Sequence, residues 1–282
     1  MNVSALWNFA DPAASEAAFR NALTTVSSGD DELTLETQIA RTYSLRSRFD
    51  EAHAVLDRIQ PRLEGAGAEP RVRYLLERGR TFRSAKVPAR ARPLFSEAAT
   101  RAHAAGLDAL EVDALHMIAL VEPAPEQQLI WNRKALAVAA ASSDPIARNW
   151  DASLTNNIGM SLHDQGRLED ALASFQSSLD ARERIGDRAR IREARWMVAW
   201  ALRALHRHDE ALLILARLEK EYAAAGAPDG YVFEEIGENL LSQGLADAAR
   251  PSFAKAFALL SADTSLDRPD DARLARLQRL GQ

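Results

Sequence analysis

Residues 157–175 read NIGMSLHDQGRLEDALASF, and residues 235–253 read EIGENLLSQGLADAARPSF. Laid one over the other, they share Ile158 with Ile236, Gly159 with Gly237, Leu162 with Leu240, Gly166 with Gly244, Ala171 with Ala249, and Phe175 with Phe253. Upstream, Gly79, Phe82, Ala91, Phe95 and Ala98 repeat the pattern. Weaker copies run through Ile39, Ala40, Tyr43, Ala52, Leu56 and Ile59, and through Val198, Ala199, Leu202, Ala211, Leu215 and Leu218. A degenerate copy carries Leu115, His116, Ala119, Gln128, Asn132 and Ala135. One column of this alignment reads Ala40, Gly79, His116, Gly159, Ala199, Gly237, with spacings of 39, 37, 43, 40 and 38. A period of about forty residues marks a solenoid or array.

The composition says that the repeating unit is helical. The 282 residues are 47% hydrophobic, 6% aromatic and 27% charged, and alanine alone supplies 54 of them. Alanine, leucine, arginine and glutamate favour helix, and the residues that strands prefer are sparse. Leu168, Ala171, Leu172, Phe175 and Leu179 fall on one helical face. Breakers such as Gly29-Asp30, Gly106, Asp144-Pro145, Gly166, Gly186-Asp187, Gly226 and Gly244 separate segments of helical-hairpin length. The absence of cysteine excludes disulfides, thiolate metal ligands and a thiol nucleophile. No stretch approaches the roughly 18 apolar residues of a membrane span. The first ten residues lack the pattern of a secretory signal. A net charge of −5 argues against general nucleic-acid binding. The expectation is a cytoplasmic protein with no cofactor, no membrane partner and no nucleic-acid partner.

The small column lets a second helix approach the first. Small residues at the start of the second helix (Ala52, Ala91, Ala171, Ala211, Ala249) do the same from the other side. Large residues four positions on (Leu56, Phe95, Phe175, Leu215, Phe253) are expected to fill the gap between successive hairpins. No hairpin of this kind buries its apolar face alone, so neighbours must stack. The pattern resembles the tetratricopeptide repeat family over roughly residues 30–262, with six copies. The period is longer than the family's usual one, and the run from Leu179 to Asp187 resembles the kinesin-light-chain-like long-helix variants. The third copy departs most, with His116 in the small column, Pro123 and Pro125 in the turn, and Gln128 for alanine. The resemblance implies an all-α fold, an α-α superhelix built as a right-handed solenoid of helical hairpins. The chain reads as a single domain over 1–282. Residues 1–29 form an N-terminal capping half-repeat and 263–282 a C-terminal capping helix. Asp11 and Pro12 open the first cap as N-cap and first-turn proline, Phe19 and Ala22 occupy the repeat positions, and Trp7 and Phe9 fold over its free end. In the last helix, over 269–281, Leu274, Leu277 and Leu280 face inward and Arg273, Arg276 and Arg279 outward.

The chemistry on offer is thin. His206 and His208 flank Arg207 beside Asp209 and Glu210, a pairing that a metal site would need. The stretch also falls in the turn of the fifth copy, where polar residues are the default, and no metal is expected there. His116 reads as a packed histidine. There is no nucleophile elbow, phosphate loop or zincin helix, so the chain is not expected to be an enzyme.

The resemblance places the first helix of each hairpin on a concave groove. Arg41, Arg73, Arg80 and Arg83 then form a basic end. Met117, Leu120, Asn156, Met160 and His163 form the middle, with Asn157 as a candidate backbone or carboxylate holder. Trp196, Trp200 and Arg203 follow, and Glu234, Glu235 and Glu238 form an acidic end. Each set has a plain alternative: a solvated face for the arginines, core packing for the tryptophans, local ion pairs for the glutamates. The carboxylate clamp by which some family members hold a chaperone tail is not present in register. Three readings stay open. The chain is a scaffold whose groove binds a protein or peptide ligand, a self-associating or peptide-sensing regulator that forms a homodimer, or a metal-dependent enzyme centred on His206 and His208.

Overall fold

A computed structural model of the chain describes residues 3–263 and 271–282. The described residues form two compact units, Met1–Leu154 and Thr155–Gln282. In the first unit a short 3-10 turn (Val3–Leu6) precedes α1 (Pro12–Leu23). The pairs α2 (Gly29–Leu45) with α3 (Phe49–Ile59), α4 (Ala68–Ser84) with α5 (Pro88–Ala104), and α6 (Asp108–Ala119) with α7 (Pro125–Ala141) follow, and then a single turn, α8 (Pro145–Arg148). The division falls inside α9 (Asp151–Asp164). The second unit pairs α9 with α10 (Leu168–Ile185), α11 (Arg188–Ala204) with α12 (His208–Ala224), and α13 (Gly230–Ser242) with α14 (Ala246–Ala262), and ends in α15 (Asp271–Leu280). The six repeat copies are these six hairpins. The extra turn α8 accounts for the long spacing between His116 and Gly159. No described helix is long and apolar enough to cross a membrane.

Three of the hairpins are closed by the same contact. An added Cβ at Gly79 would lie 2.4 Å from the Phe95 ring, one at Gly159 2.6 Å from Phe175, and one at Gly237 2.8 Å from Phe253. All three rings are fully buried. The large residues therefore cover the small residue of their own hairpin, and Phe175 also meets Trp200 of the next hairpin edge-on at 6.1 Å. The ring needs a backbone with no side chain in front of it, so glycine is obligatory wherever the partner is phenylalanine. Ala40 with Leu56, and Ala199 with Leu215, hold the same positions sixteen residues apart, all fully buried. The smaller leucine leaves room for one methyl group. His116 and Asn132 take these positions in the third copy.

The turns repeat as strictly. Seven residues after the small column the chain enters the left-handed region, at Ser47 (φ 58°), Lys86 (φ 61°), Gly166 (φ 73°), His206 (φ 58°) and Gly244 (φ 78°). The next amide then bonds back to the carbonyl five residues earlier: Arg48 to Tyr43, Val87 to Phe82, Arg167 to Leu162, Arg207 to Leu202 and Leu245 to Leu240, all at 2.9 Å. This satisfies carbonyls that the helix end leaves open. The third copy has Pro123 at that position. A proline ring holds φ near −65°, which excludes the left-handed region. The connection there lengthens to residues 120–124.

The ends follow the same chemistry. Asp11 caps α1 by accepting from the amides of Ala13 and Ala14, and Phe19 of α1 is fully buried. Leu277 of α15 is fully buried, with Leu274 and Leu280 packed around it. Residues 269 and 270 of the expected last helix lie outside the described residues.

Two outcomes follow from the hairpin geometry. Gly159→Ala should lower the melting temperature, because the overpacking costs about 1–3 kcal/mol and outweighs the ~1 kcal/mol of helix propensity gained. Adding Phe175→Leu should recover part of the loss, and additive losses in a thermal double-mutant cycle would contradict the contact. His206→Gly should raise stability by about 1 kcal/mol, since a side chain in the left-handed region is strained and glycine is not. Denaturant melts check this, and a destabilised variant would show that the ring is needed where it stands.

Candidate functional site

The residues expected to line a groove fall into the two units. In the first, α4 packs against both α2 and α6. These helices, α8 and the 3-10 turn enclose a pocket of about 710 Å³. Arg41 from α2, Glu69 and Arg73 from α4, and Asp108 and Asp113 from α6 supply its charged groups, with Asp144 ahead of α8. Trp7, Phe9, Leu107, Leu110, Ile146 and Trp150 supply its apolar wall. Trp7 packs edge-on against Phe19 of α1 at 5.1 Å, and its indole N–H donates to Gln38 Oε1 at 3.0 Å. Phe9 stacks on Trp7 at 4.6 Å and is 60% exposed. The aromatic pair was expected only to cover the end of α1. It also forms a wall of the pocket.

The four arginines of the basic end have different fates. Arg80 is held by Glu77 at 2.6 Å and by Asp113 at 2.6 Å. Both carboxylates are buried, and their charges raise the Arg80 pKa against the effect of burial. Arg73 pairs with Glu69 at 2.8 Å, one helical turn away. Arg83 is exposed near the end of α4. The guanidinium of Arg41 lies over the Trp7 and Phe9 rings, at 5.3 and 5.4 Å from their centroids.

The middle set divides. Met117, at 6% exposure, belongs to the core of the first unit with Leu115 and Ile118, which corrects its expected place on the groove. The cause is that α6 is short and apolar around most of its circumference, so nearly every side is packed. Leu120 is exposed just past its end. His116 lies against Trp150 with ring centroids 5.1 Å apart. Burial, reinforced by Arg80 and Arg83 and opposed by Asp113, lowers its pKa from the usual 6.5 to about 4.

In the second unit Asn156 and Asn157 are half-buried on α9, and Met160 is exposed. His163 stacks on Trp200 at 3.8 Å, and Trp196 lies nearly parallel to Trp200 at 6.4 Å. The Trp196 indole N–H donates to the Tyr231 carbonyl at 3.2 Å. All three rings are half-buried, so the tryptophans are neither core nor free. Burial, with help from Arg203, lowers the His163 pKa. Arg203 pairs with the buried Glu235. Glu235 in turn accepts from the Asn239 side chain, whose Oδ1 meets His208 Nδ1 at 3.1 Å. Burial raises the Glu235 pKa despite the arginine. Glu234 and Glu238 do not face an open acidic end: Arg273 and Arg276 of α15 pair with them. This corrects the outward placing of those two arginines. His206 and His208 are 5.8 Å apart, and no group of three metal-ligating side chains exists among the described residues.

The pocket of the first unit includes residues that the repeat register did not pick out. Gln38, Asp108, Asp144, Ile146 and Trp150 lie outside the concave positions of the six copies. The signal for some of them was the break at Asp144-Pro145 and the long spacing beside it. Titration tests the buried histidine. The unfolded chain takes up a proton near pH 6.5 and the folded one only near 4, so stability falls as pH drops through that window, by up to about 3 kcal/mol. Chemical denaturation of the wild type and of His116→Ala between pH 7 and 4 should show a shallower loss in the variant. Parallel curves would contradict it.

The tetratricopeptide repeat family model matches residues 150–220. No curated protein matches the sequence. Among solved structures, the apo form of RapI superposes with a TM-score of 0.76 at 12% identity, covering 98% of this chain and 78% of that one. A Signal Transduction ATPase with Numerous Domains protein with a tetratricopeptide repeat sensor, from Pyrococcus horikoshii, gives 0.72 at 11% identity over 96% of this chain and 42% of that one. NprR in complex with its cognate peptide NprX gives 0.58 at 14% identity over 95% and 78%. At these identities the likeness is one of fold. Residues 150–220 thus carry a match to the tetratricopeptide repeat, and the same helical hairpin recurs in the described residues on either side, in a fold shared with solved tetratricopeptide repeat structures.

Proposed function

We propose that the chain is a non-catalytic scaffold that holds a segment of a protein or peptide against the faces lined by its first helices. The observation that carries this reading is the pocket of about 710 Å³ in the first unit. Its size is that of a ligand site, and its lining joins aromatic and aliphatic surface to a few fixed charges, the mixture that recognition sites use. In the second unit the ladder of His163, Trp200 and Trp196 offers flat, preset apolar surface, with Asn156, Asn157 and Met160 beside it. Aromatic surface of this kind anchors ligands at low entropic cost. NprR was solved with a peptide bound, which supports a peptide as ligand class. In this reading α1 and α15 are terminal caps.

Selection from a random synthetic heptapeptide library on the full chain, followed by titration of individual peptides, tests the reading. Ile146 is 58% exposed at the pocket wall. Ile146→Arg should weaken peptides bound there by about tenfold or more, a loss of about 1.4 kcal/mol. Its melting temperature should stay within a degree or two, as for most surface changes. Trp200→Ala should weaken peptides bound to the second unit by about 2 kcal/mol. A library from which nothing is retained, or peptides indifferent to both substitutions, would overturn the proposal.

A further inference from the structure

The charged groups of the first unit's pocket are nearly all accounted for. Arg73 has Glu69 at 2.8 Å, and Asp113 has Arg80 at 2.6 Å. Asp108 accepts from the Ser142 hydroxyl at 2.5 Å, and Asp144 accepts from the Ile146 amide at 2.8 Å. Arg41 is the exception among the cations. Its nearest carboxylate is Glu77 at 3.7 Å, beyond hydrogen-bond reach, and that carboxylate is bonded to Arg80. Its buried Nε has no hydrogen-bond partner. Burial, together with the charge of Arg80, pushes the Arg41 pKa down, and the carboxylates of Glu77 and Asp113, both bonded to Arg80, do not offset it. Two aromatic rings hold the guanidinium in place at the pocket wall.

We infer that Arg41 is the anchor for a carboxylate of the bound peptide, placed so that an apolar side chain beside it rests on Phe9 and Trp7. The inference rests on the peptide-binding reading above and names the ligand's chemistry. A guanidinium presents a planar fork of donors that matches a carboxylate, and a half-buried cation whose one nearby carboxylate is shared with a second arginine gains from another. The same pocket wall argues for a single negative charge. Asp108 and Asp144 make no ion pair among the described residues, and Glu69 and Asp113 stand close by. A phosphate carries about −1.5 to −2 charges at neutral pH and meets that acidic wall at a disadvantage. Those unpaired aspartates also favour a ligand with a cationic group at its other end.

The test uses matched heptapeptide libraries read by affinity selection and mass spectrometry on the full chain. One has both ends free, one is amidated at the C-terminus, one is acetylated at the N-terminus, and one has Asn and Gln in place of Asp and Glu. Free peptides should be retained, and removing the bound carboxylate should cost about tenfold or more in affinity. If amidation carries the loss, the anchor holds a chain terminus. If Asn and Gln carry it, the anchor holds a side chain, and either outcome supports the inference. Acetylation should weaken binding by a smaller factor. In Arg41→Gln, acid and amide forms should bind equally, and Arg41→Lys should restore part of the preference. Wild-type binding that neither C-terminal amidation nor the Asn and Gln exchange weakens would overturn the inference and leave peptide binding intact, and so would a phosphopeptide binding tighter than its carboxylate counterpart. Retention of no peptide from any library would overturn both. The comparison of acid with amide on the wild type needs no variant, so it stands even if Arg41→Gln folds poorly.

Discussion

The contact on which the rest of this structure depends is the meeting of a small residue with a large one sixteen positions later. At Gly79, Gly159 and Gly237 a phenylalanine ring lies where a Cβ would be. Dispersion forces fall off steeply with distance, so the close approach secures many favourable atom pairs at once. It also fixes the axial register of the two helices. The left-handed turn residue, seven positions after the small one, reverses the chain at the distance this register requires. Turn, small residue and large residue therefore agree on one geometry, which is the consistency that makes a repeat fold reliably. The pairs Ala40 with Leu56 and Ala199 with Leu215 keep the arrangement by trading volume from one side to the other.

That register determines which side chains first helices can present to their neighbours. Arg80, Met160, Trp200 and Glu238 each follow the small column by one residue, and Asp113, Asn156, Trp196 and Glu234 precede it by three. Side chains on adjacent first helices meet, and charges of opposite sign pair across the seam. Arg80 takes Asp113, Arg203 takes Glu235, and α15 brings Arg273 and Arg276 to Glu234 and Glu238. A row that looks basic or acidic along the chain is largely neutralised by the next helix. Buried pairs of this kind add little net stability, because desolvation offsets the attraction, but losing one partner is costly. Arg41, whose nearest carboxylate is bonded to Arg80, then stands out among the arginines of this end.

Periodicity made the helices and their pairing legible. The sixfold column, the capping of α1 by Asp11 and the apolar face of α15 all follow from local pattern, since helix propensity, turn chemistry and small-residue spacing act within one hairpin. The candidate groove was legible only in part. Arg41 and Arg73 reach the pocket, whereas Met117 is drawn into the core because α6 has almost no polar side to turn outward. Trp7, Phe9 and Ile146 join the pocket from segments outside the six copies, and no period points to them.

The sequence by itself determined the repeat: where the chain turns, which residues must be small, and which large side chains cover them. These are short-range steric demands that each hairpin meets alone. Only the tertiary structure decided which charges remain available. The partner that Arg80 takes from the helix stacked beside it, Asp113, lies 33 residues away in the chain, and geometry between hairpins is what makes that pair and leaves Arg41 over two aromatic rings.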